Sequence, residues 1–227
     1  MTNGTKMEKL AILIGAAPIG EEGLLLKQLL GRDNIYVIAV DGGIDYLLSN
    51  CIVPDYIIGD MDSASKEARS MLESYDHQIF NPVKDDTDMA LAVKRATDVG
   101  CKRLVIFGGL GGSRISHTLS NVQLLTRCAK AGIDVRAFGD GSELIMLANG
   151  SIELEPRQEG YISILSMTDV SKDVSIKGLI YEYEGDLTND YALGQSNEYK
   201  GTKASISVGD GVILIIRKPL AVELHNL

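Results

Sequence analysis

The chain has no tryptophan, and only three of its 227 residues are cysteines: Cys51, Cys101 and Cys128. Their wide spacing forms neither a disulfide framework nor a zinc pattern, which points to a reducing, cytoplasmic setting. No apolar run approaches the ~20 residues that span a bilayer. Met1 to Glu8 are polar and lack the apolar core of a secretory leader, so neither membrane insertion nor export is expected. Positive charge is scarce as well, since 22 Lys and Arg face 31 Asp and Glu for a formal net charge of −9. That balance argues against non-specific nucleic-acid binding, which depends on basic surface. A phosphate-bearing ligand would need a shielding metal, or local Lys, Arg and helix N-termini. A cationic ligand, by contrast, suits an acidic protein. Internal repeats and low-complexity segments are also missing.

What is present is an alternation. Lys9 to Gly15, Ile35 to Val40, Tyr56 to Ile58, His77 to Phe80, Arg103 to Phe107 and Asp134 to Phe138 are short apolar runs that read as strands. Stretches of helical periodicity separate them, such as Leu24, Leu25, Leu26, Leu29 and Leu30 closed by Gly31. Regular β-α alternation predicts a Rossmann-like parallel sheet flanked by helices over residues 1–149. Beyond Asn149 short strand-like pieces follow one another without helices, which predicts a smaller all-β domain, a β-sandwich, over residues 150–227. Within it, Gly209-Asp210-Gly211 between two apolar runs predicts a hairpin turn.

Acidic residues collect directly after the predicted strands. Asp41 follows the second strand, Asp60 and Asp62 the third, and Asp85, Asp86 and Asp88 the fourth. In an extended backbone, side chains at i and i+2 point the same way, so Asp60 and Asp62 are expected to converge on one ligand. Converging carboxylates repel unless a cation lies between them, and a hard divalent ion does this best. The plainer reading is a set of solvated turns. It weakens because parallel strand ends share one edge, where ligands bind. The loop Gly108 to Gly112 lies on that same edge. It is neither a P-loop nor a dinucleotide fingerprint. Its glycines serve as tight turns, or else expose backbone N–H groups at Gly109 and Gly111 that receive phosphate oxygens together with Arg114.

In this order and spacing, Asp41-Gly42-Gly43, Pro54 to Ser63, Asp85 to Asp88, Gly111 to Asn121, Gly178 to Tyr181 and Gln195 to Glu198 resemble the thiamine pyrophosphokinase (thiamine diphosphokinase) family along nearly the whole chain. The resemblance implies an α/β nucleotide domain followed by a β-sandwich in a homodimer. It implies transfer of the terminal pyrophosphoryl group of ATP to the hydroxyl of thiamine, releasing AMP. By that analogy Asp60, Asp62 and Asp88 hold Mg²⁺, with Asp41 close by. Gly42, Gly43, Lys84, Thr87 and Arg114 meet the ATP phosphates. Ser196 and Asn197, with Tyr181 as an aromatic contact, line a thiamine pocket at the dimer interface. One position departs from the family pattern: Ser116 stands where the family usually has Asp. Three other readings remain open on the residues alone. They are a pyrophosphokinase for another alcohol such as a hydroxymethylpterin, a non-catalytic nucleotide- or thiamine-binding regulator, and a metal-dependent phosphohydrolase.

Overall fold

The structure is a computed structural model that describes residues 9–80 and 85–219. The chain folds as two compact units, Met1–Asn121 and Val122–Leu227, with the division falling inside one long helix.

In the first unit the predicted alternation is realised in order. Strands β1 (Leu10–Ile14), β2 (Ile35–Val40), β3 (Tyr56–Gly59), β4 (His77–Ile79) and β5 (Arg103–Phe107) alternate with helices α1 (Gly23–Leu30), α2 (Gly43–Ser49), α3 (Lys66–Ser70) and α4 (Asp88–Asp98). Helix α5 (Ile115–Lys130) follows β5. Every pairing among these five strands is parallel, in the spatial order β5-β1-β2-β3-β4. Strand β1 is buried along its whole length and β2 nearly so, as expected for strands covered on both faces. The helices supply the cover through apolar stripes: Leu25, Leu26 and Leu29 on α1, Met89, Ala92, Val93 and Ala96 on α4.

That strand order fixes where a ligand can sit. From β1 the chain builds outward through β2, β3 and β4, then returns to place β5 on the other side of β1. The loops leaving β1 and β5 therefore diverge to opposite faces and open a crevice at the carboxyl ends of the strands, the usual ligand position in such sheets.

The second unit is antiparallel. Strands β6 (Asp134–Gly139), β7 (Ser142–Leu154), β8 (Tyr161–Ser166), β9 (Val170–Lys177), β10 (Tyr183–Thr188), β11 (Asn197–Glu198) and β12 (Ala204–Arg217) follow. The first part of β12 pairs with β7 and β9, and its last part with β7 and β8. One long strand thus serves two partners on the same side, around a core that includes Ile162, Ile164, Ile176, Ile206, Ile213 and Ile215. The hairpin expected at Gly209-Asp210-Gly211 is not formed, because β12 runs straight through it. Val208 pairs with Gly150 and Val212 with Ala148, so three residues bulge opposite Asn149. Asn149 adopts φ 46° and accepts the Gly211 N–H at 2.9 Å. The glycines are used for a bulge that bends the strand rather than for a reversal.

Candidate active site

The crevice is a cleft of about 840 Å³, lined from β1–α1 by Gly15 to Pro18, from β2–α2 by Asp41, and from β3–α3 by Asp60 and Ser63. The start of α4 adds Asp86 to Met89, and the β5–α5 loop with the first turns of α5 adds Gly108, Gly109 and Gly111 to Arg114, then Ser116, His117, Ser120 and Asn121. Each carboxylate loop predicted to share an edge does so. Glycine makes the floor possible. A Cβ on Gly15 would strike the Gly108 carbonyl, and one on Gly43 the Ile14 carbonyl, so backbone packs on backbone beneath the cleft.

Asp41, Asp60 and Asp88 each bring a carboxylate oxygen within 4.8 Å of the others, and all three are half-buried. Two unit charges at roughly 4 Å repel by about 4 kcal/mol at an effective dielectric near 20, so such a cluster is costly without a counter-charge. Asp41 carries the strain. Burial, reinforced by the charges of Asp88, Asp60 and Asp62 and opposed by the Ser63 hydroxyl, pushes its carboxyl up to about 6. Its Oδ1 is buried and has no hydrogen-bond partner. A buried, unpartnered acceptor facing two further carboxylates suits a hard divalent cation with oxygen ligands.

Asp62 lies outside this triad. Met61 adopts a left-handed conformation (φ 62°), which breaks the extended geometry on which the i, i+2 expectation rests. Asp62 is exposed, and its backbone N–H donates to Asp60 Oδ1 at 3.0 Å. Thr87 is the N-cap of α4, where its hydroxyl accepts the Ala90 N–H at 3.2 Å, and this places Asp88 in the first helical turn. Lys84 lies outside the described residues. Arg114 is exposed at the cleft wall, and α5 begins at Ile115, so Ser116 sits inside its first turn.

The glycine loop is anchored by two α5 side chains that the sequence alone leaves without a role. Asn121 Nδ2 donates to the Gly109 carbonyl at 2.6 Å, and the Gly111 N–H donates to Thr118 Oγ1 at 3.0 Å. The Gly111 N–H is therefore already committed within the loop. Their regular spacing after the glycines, three to four residues apart on one helix face, was the available signal.

The thiamine-site candidates lie in the second unit. Asn197 is buried, and its Oδ1 accepts the backbone N–H groups of Tyr181 (3.0 Å) and Glu198 (2.8 Å). Its Nδ2 donates to the Tyr181 carbonyl at 2.7 Å. Asn197 thus grips the main chain at Tyr181, whose side chain is 67% exposed. Ser196 is exposed in a left-handed conformation, with its N–H on Ser163 Oγ at 3.0 Å.

A parallel sheet with a carboxylate triad and a glycine loop at its switch point, followed by an antiparallel unit, defines an α/β enzyme architecture with an added β-rich part. Known proteins narrow the class. Residues 27–137 match the thiamin pyrophosphokinase catalytic domain, and residues 151–213 the thiamin pyrophosphokinase vitamin B1 binding domain. The chain is 29% identical over 184 residues to the thiamine pyrophosphokinase of Bacillus subtilis, covering 79% of this chain and 86% of that relative. A crystal structure of the thiamine pyrophosphokinase from Bacillus subtilis superposes with a TM-score of 0.80 at 26% identity, over 93% of this chain and 99% of the other. The yeast thiamin pyrophosphokinase structure shares the fold, with a TM-score of 0.71 at 18% identity over 99% and 90% of the two chains. The chain belongs to the thiamine pyrophosphokinase family, a family of enzymes. The pterin and regulator readings are not favoured.

Proposed function

We propose that this protein transfers the terminal pyrophosphoryl group of ATP to the hydroxyl of thiamine, giving thiamine diphosphate and AMP. The observation that carries the reading is the Asp41, Asp60 and Asp88 triad in a cleft shared with the glycine loop. These three carboxylates would hold a divalent cation, Mg²⁺ by our reading, and bound there it neutralises charge on the polyphosphate. Catalysis of this kind consists of positioning and charge neutralisation. Gly109, Thr87 and Arg114 line the cleft and, with Lys84, would orient the triphosphate, whereas Gly42 and Gly43 are buried outside the lining, with the Gly42 N–H already donated to Ser63 Oγ. The thiamine oxygen then forms a bond to the β-phosphorus as the bond from that phosphorus to the oxygen bridging the α-phosphate breaks. AMP leaves with the bridging oxygen, and the hydroxyl proton is released to solvent. Asp62 would act from outside the triad as a further negative charge.

Nucleotide chemistry is assigned to residues 1–149 and thiamine binding to residues 150–227, with Tyr181, Ser196 and Asn197 as contacts or supports. The two family matches fall on either side of that division. A permanent thiazolium charge suits a protein with a formal net charge of −9. We also propose a cytoplasmic homodimer with thiamine at its interface. Exposed apolar side chains in each unit support an association surface: Ile115 and Leu119 in the first, Ile180, Tyr181, Tyr191 and Leu193 in the second. Incubation with ATP, Mg²⁺ and thiamine tests the activity. Equal amounts of AMP and thiamine diphosphate are expected. ATP binding without product would overturn it, as would turnover on a pterin alcohol alone.

A further inference from the structure

Asp41 must be held in the triad against the repulsion of Asp60 and Asp88, and the structure contains the device that holds it. Asp41 itself takes a left-handed backbone conformation (φ 55°) at the end of β2. Its N–H donates to the Ile58 carbonyl at 2.8 Å, which extends the β2–β3 ladder one residue past the strand. The next amide, on Gly42, donates to Ser63 Oγ at 3.0 Å. There is no slack around this pair. A Cβ on Gly42 would come within 2.8 Å of Ser63 Oγ, and one on Gly59 within 3.0 Å of the Asp41 backbone. A second tie lies further back, where Asp45 of α2 accepts the Ser65 N–H at 2.9 Å just before α3. The loop carrying Asp41 and the loop carrying Asp60 are therefore latched to each other twice, by Ser63 and by Asp45.

We infer that Ser63 is a positioning residue for the cation site: its hydroxyl fixes the Asp41–Gly42 peptide, and through it the Asp41 carboxylate, against the Asp60 loop before any cation arrives. This rests on the cation reading above. Without the latch, Asp41 can relieve its buried, crowded position by turning toward water, and the site loses a preorganised ligand. Groups that orient metal ligands typically contribute about 10–100-fold in metal affinity. Because the role is preorganisation and not chemistry, the loss belongs to metal affinity and is restored by saturating metal.

The test is Mn²⁺ binding to the full chain by electron paramagnetic resonance, beside amide hydrogen exchange at Gly42 in the metal-free protein. Ser63→Ala should exchange the Gly42 amide faster and weaken Mn²⁺ roughly tenfold. Turnover should then need more Mg²⁺ but reach a near wild-type kcat once Mg²⁺ saturates. Ser63→Thr, which keeps the hydroxyl, should restore both readouts. Asp45→Ala, which removes the acceptor for the Ser65 N–H and is too far back to touch the ion, should weaken Mn²⁺ in the same direction. A folded Ser63→Ala protein that binds Mn²⁺ as tightly as wild type would overturn the inference while leaving the cation site standing. Wild-type protein that binds no Mn²⁺ would overturn the cation reading and the inference together.

Discussion

At the scale of single residues, Asp41 is the side chain on which stability and function pull in opposite directions. Its carboxyl is pushed up to about 6, so the folded state keeps this proton to higher pH than the unfolded chain does. Stability from this group is greatest at low pH and is lost as pH rises from about 4 through 6. Asp41→Asn removes that loss, and Asn tolerates the left-handed conformation. Metal-free Asp41→Asn should therefore melt close to wild type at pH 4. At pH 7 it should be more stable by on the order of 1 kcal/mol, since water reaches part of the carboxyl and screens its charge, read by thermal unfolding in chelator. A gain that failed to grow with pH would contradict the burial of that charge. The same variant, like Asp60→Asn and Asp88→Asn, should lose more than about a hundredfold in metal-dependent turnover, since ligands matter more than their supports. Asp62→Asn should lose much less. Equal losses at Asp41 and Asp62 in a steady-state assay would place Asp62 in the coordination sphere after all.

Elements explain which parts of this site could be read from the chain. Asp41 and Asp60 stand out because each directly follows a strand, and Asp88 because it opens the helix after β4; parallel strands bring such ends to one edge. Which of the neighbouring acids share a point is set by backbone turns that periodicity does not encode. Met61 at φ 62° turns Asp62 away, while Asp41 at φ 55° and its tie to Ser63 turn Asp41 in. The bulge in β12 was hidden for the same reason, since Gly-Asp-Gly is as good a signal for a bulge as for a hairpin. Thr87, expected from the resemblance to meet phosphate, is also the α4 cap, a role the sequence reading did not assign: Thr87→Ala removes the cap and should cost about 1 kcal/mol in denaturant unfolding. Glu143 on β7 has a role the sequence does not announce either. It is 2% exposed and bridges Arg136 of β6 (3.0 Å) and Arg217 of β12 (2.8 Å), the second of them 74 residues away in sequence. Glu143→Gln leaves two buried guanidinium groups facing each other and should destabilise the chain by about 3–5 kcal/mol. A loss below about 1 kcal/mol in urea unfolding would show that water compensates the pair.

For the whole molecule, division of labour follows from the two units. A parallel sheet offers a switch-point cleft with acidic loops, and an antiparallel unit offers exposed aromatic and apolar loops held by groups such as Asn197. On the proposed reading net negative charge stops being a paradox, because the acids would hold the cation that a polyphosphate requires. Pyrophosphoryl transfer differs from ordinary kinase chemistry only in which phosphorus is attacked, and a direct test follows the oxygen between the β- and γ-phosphorus atoms. ATP carrying ¹⁸O at that bridge should pass the label intact into thiamine diphosphate, with unlabelled AMP formed in equal amount. Label retained in ADP, with thiamine monophosphate as the other product, would mean attack at the γ-phosphorus and would contradict the proposed reaction.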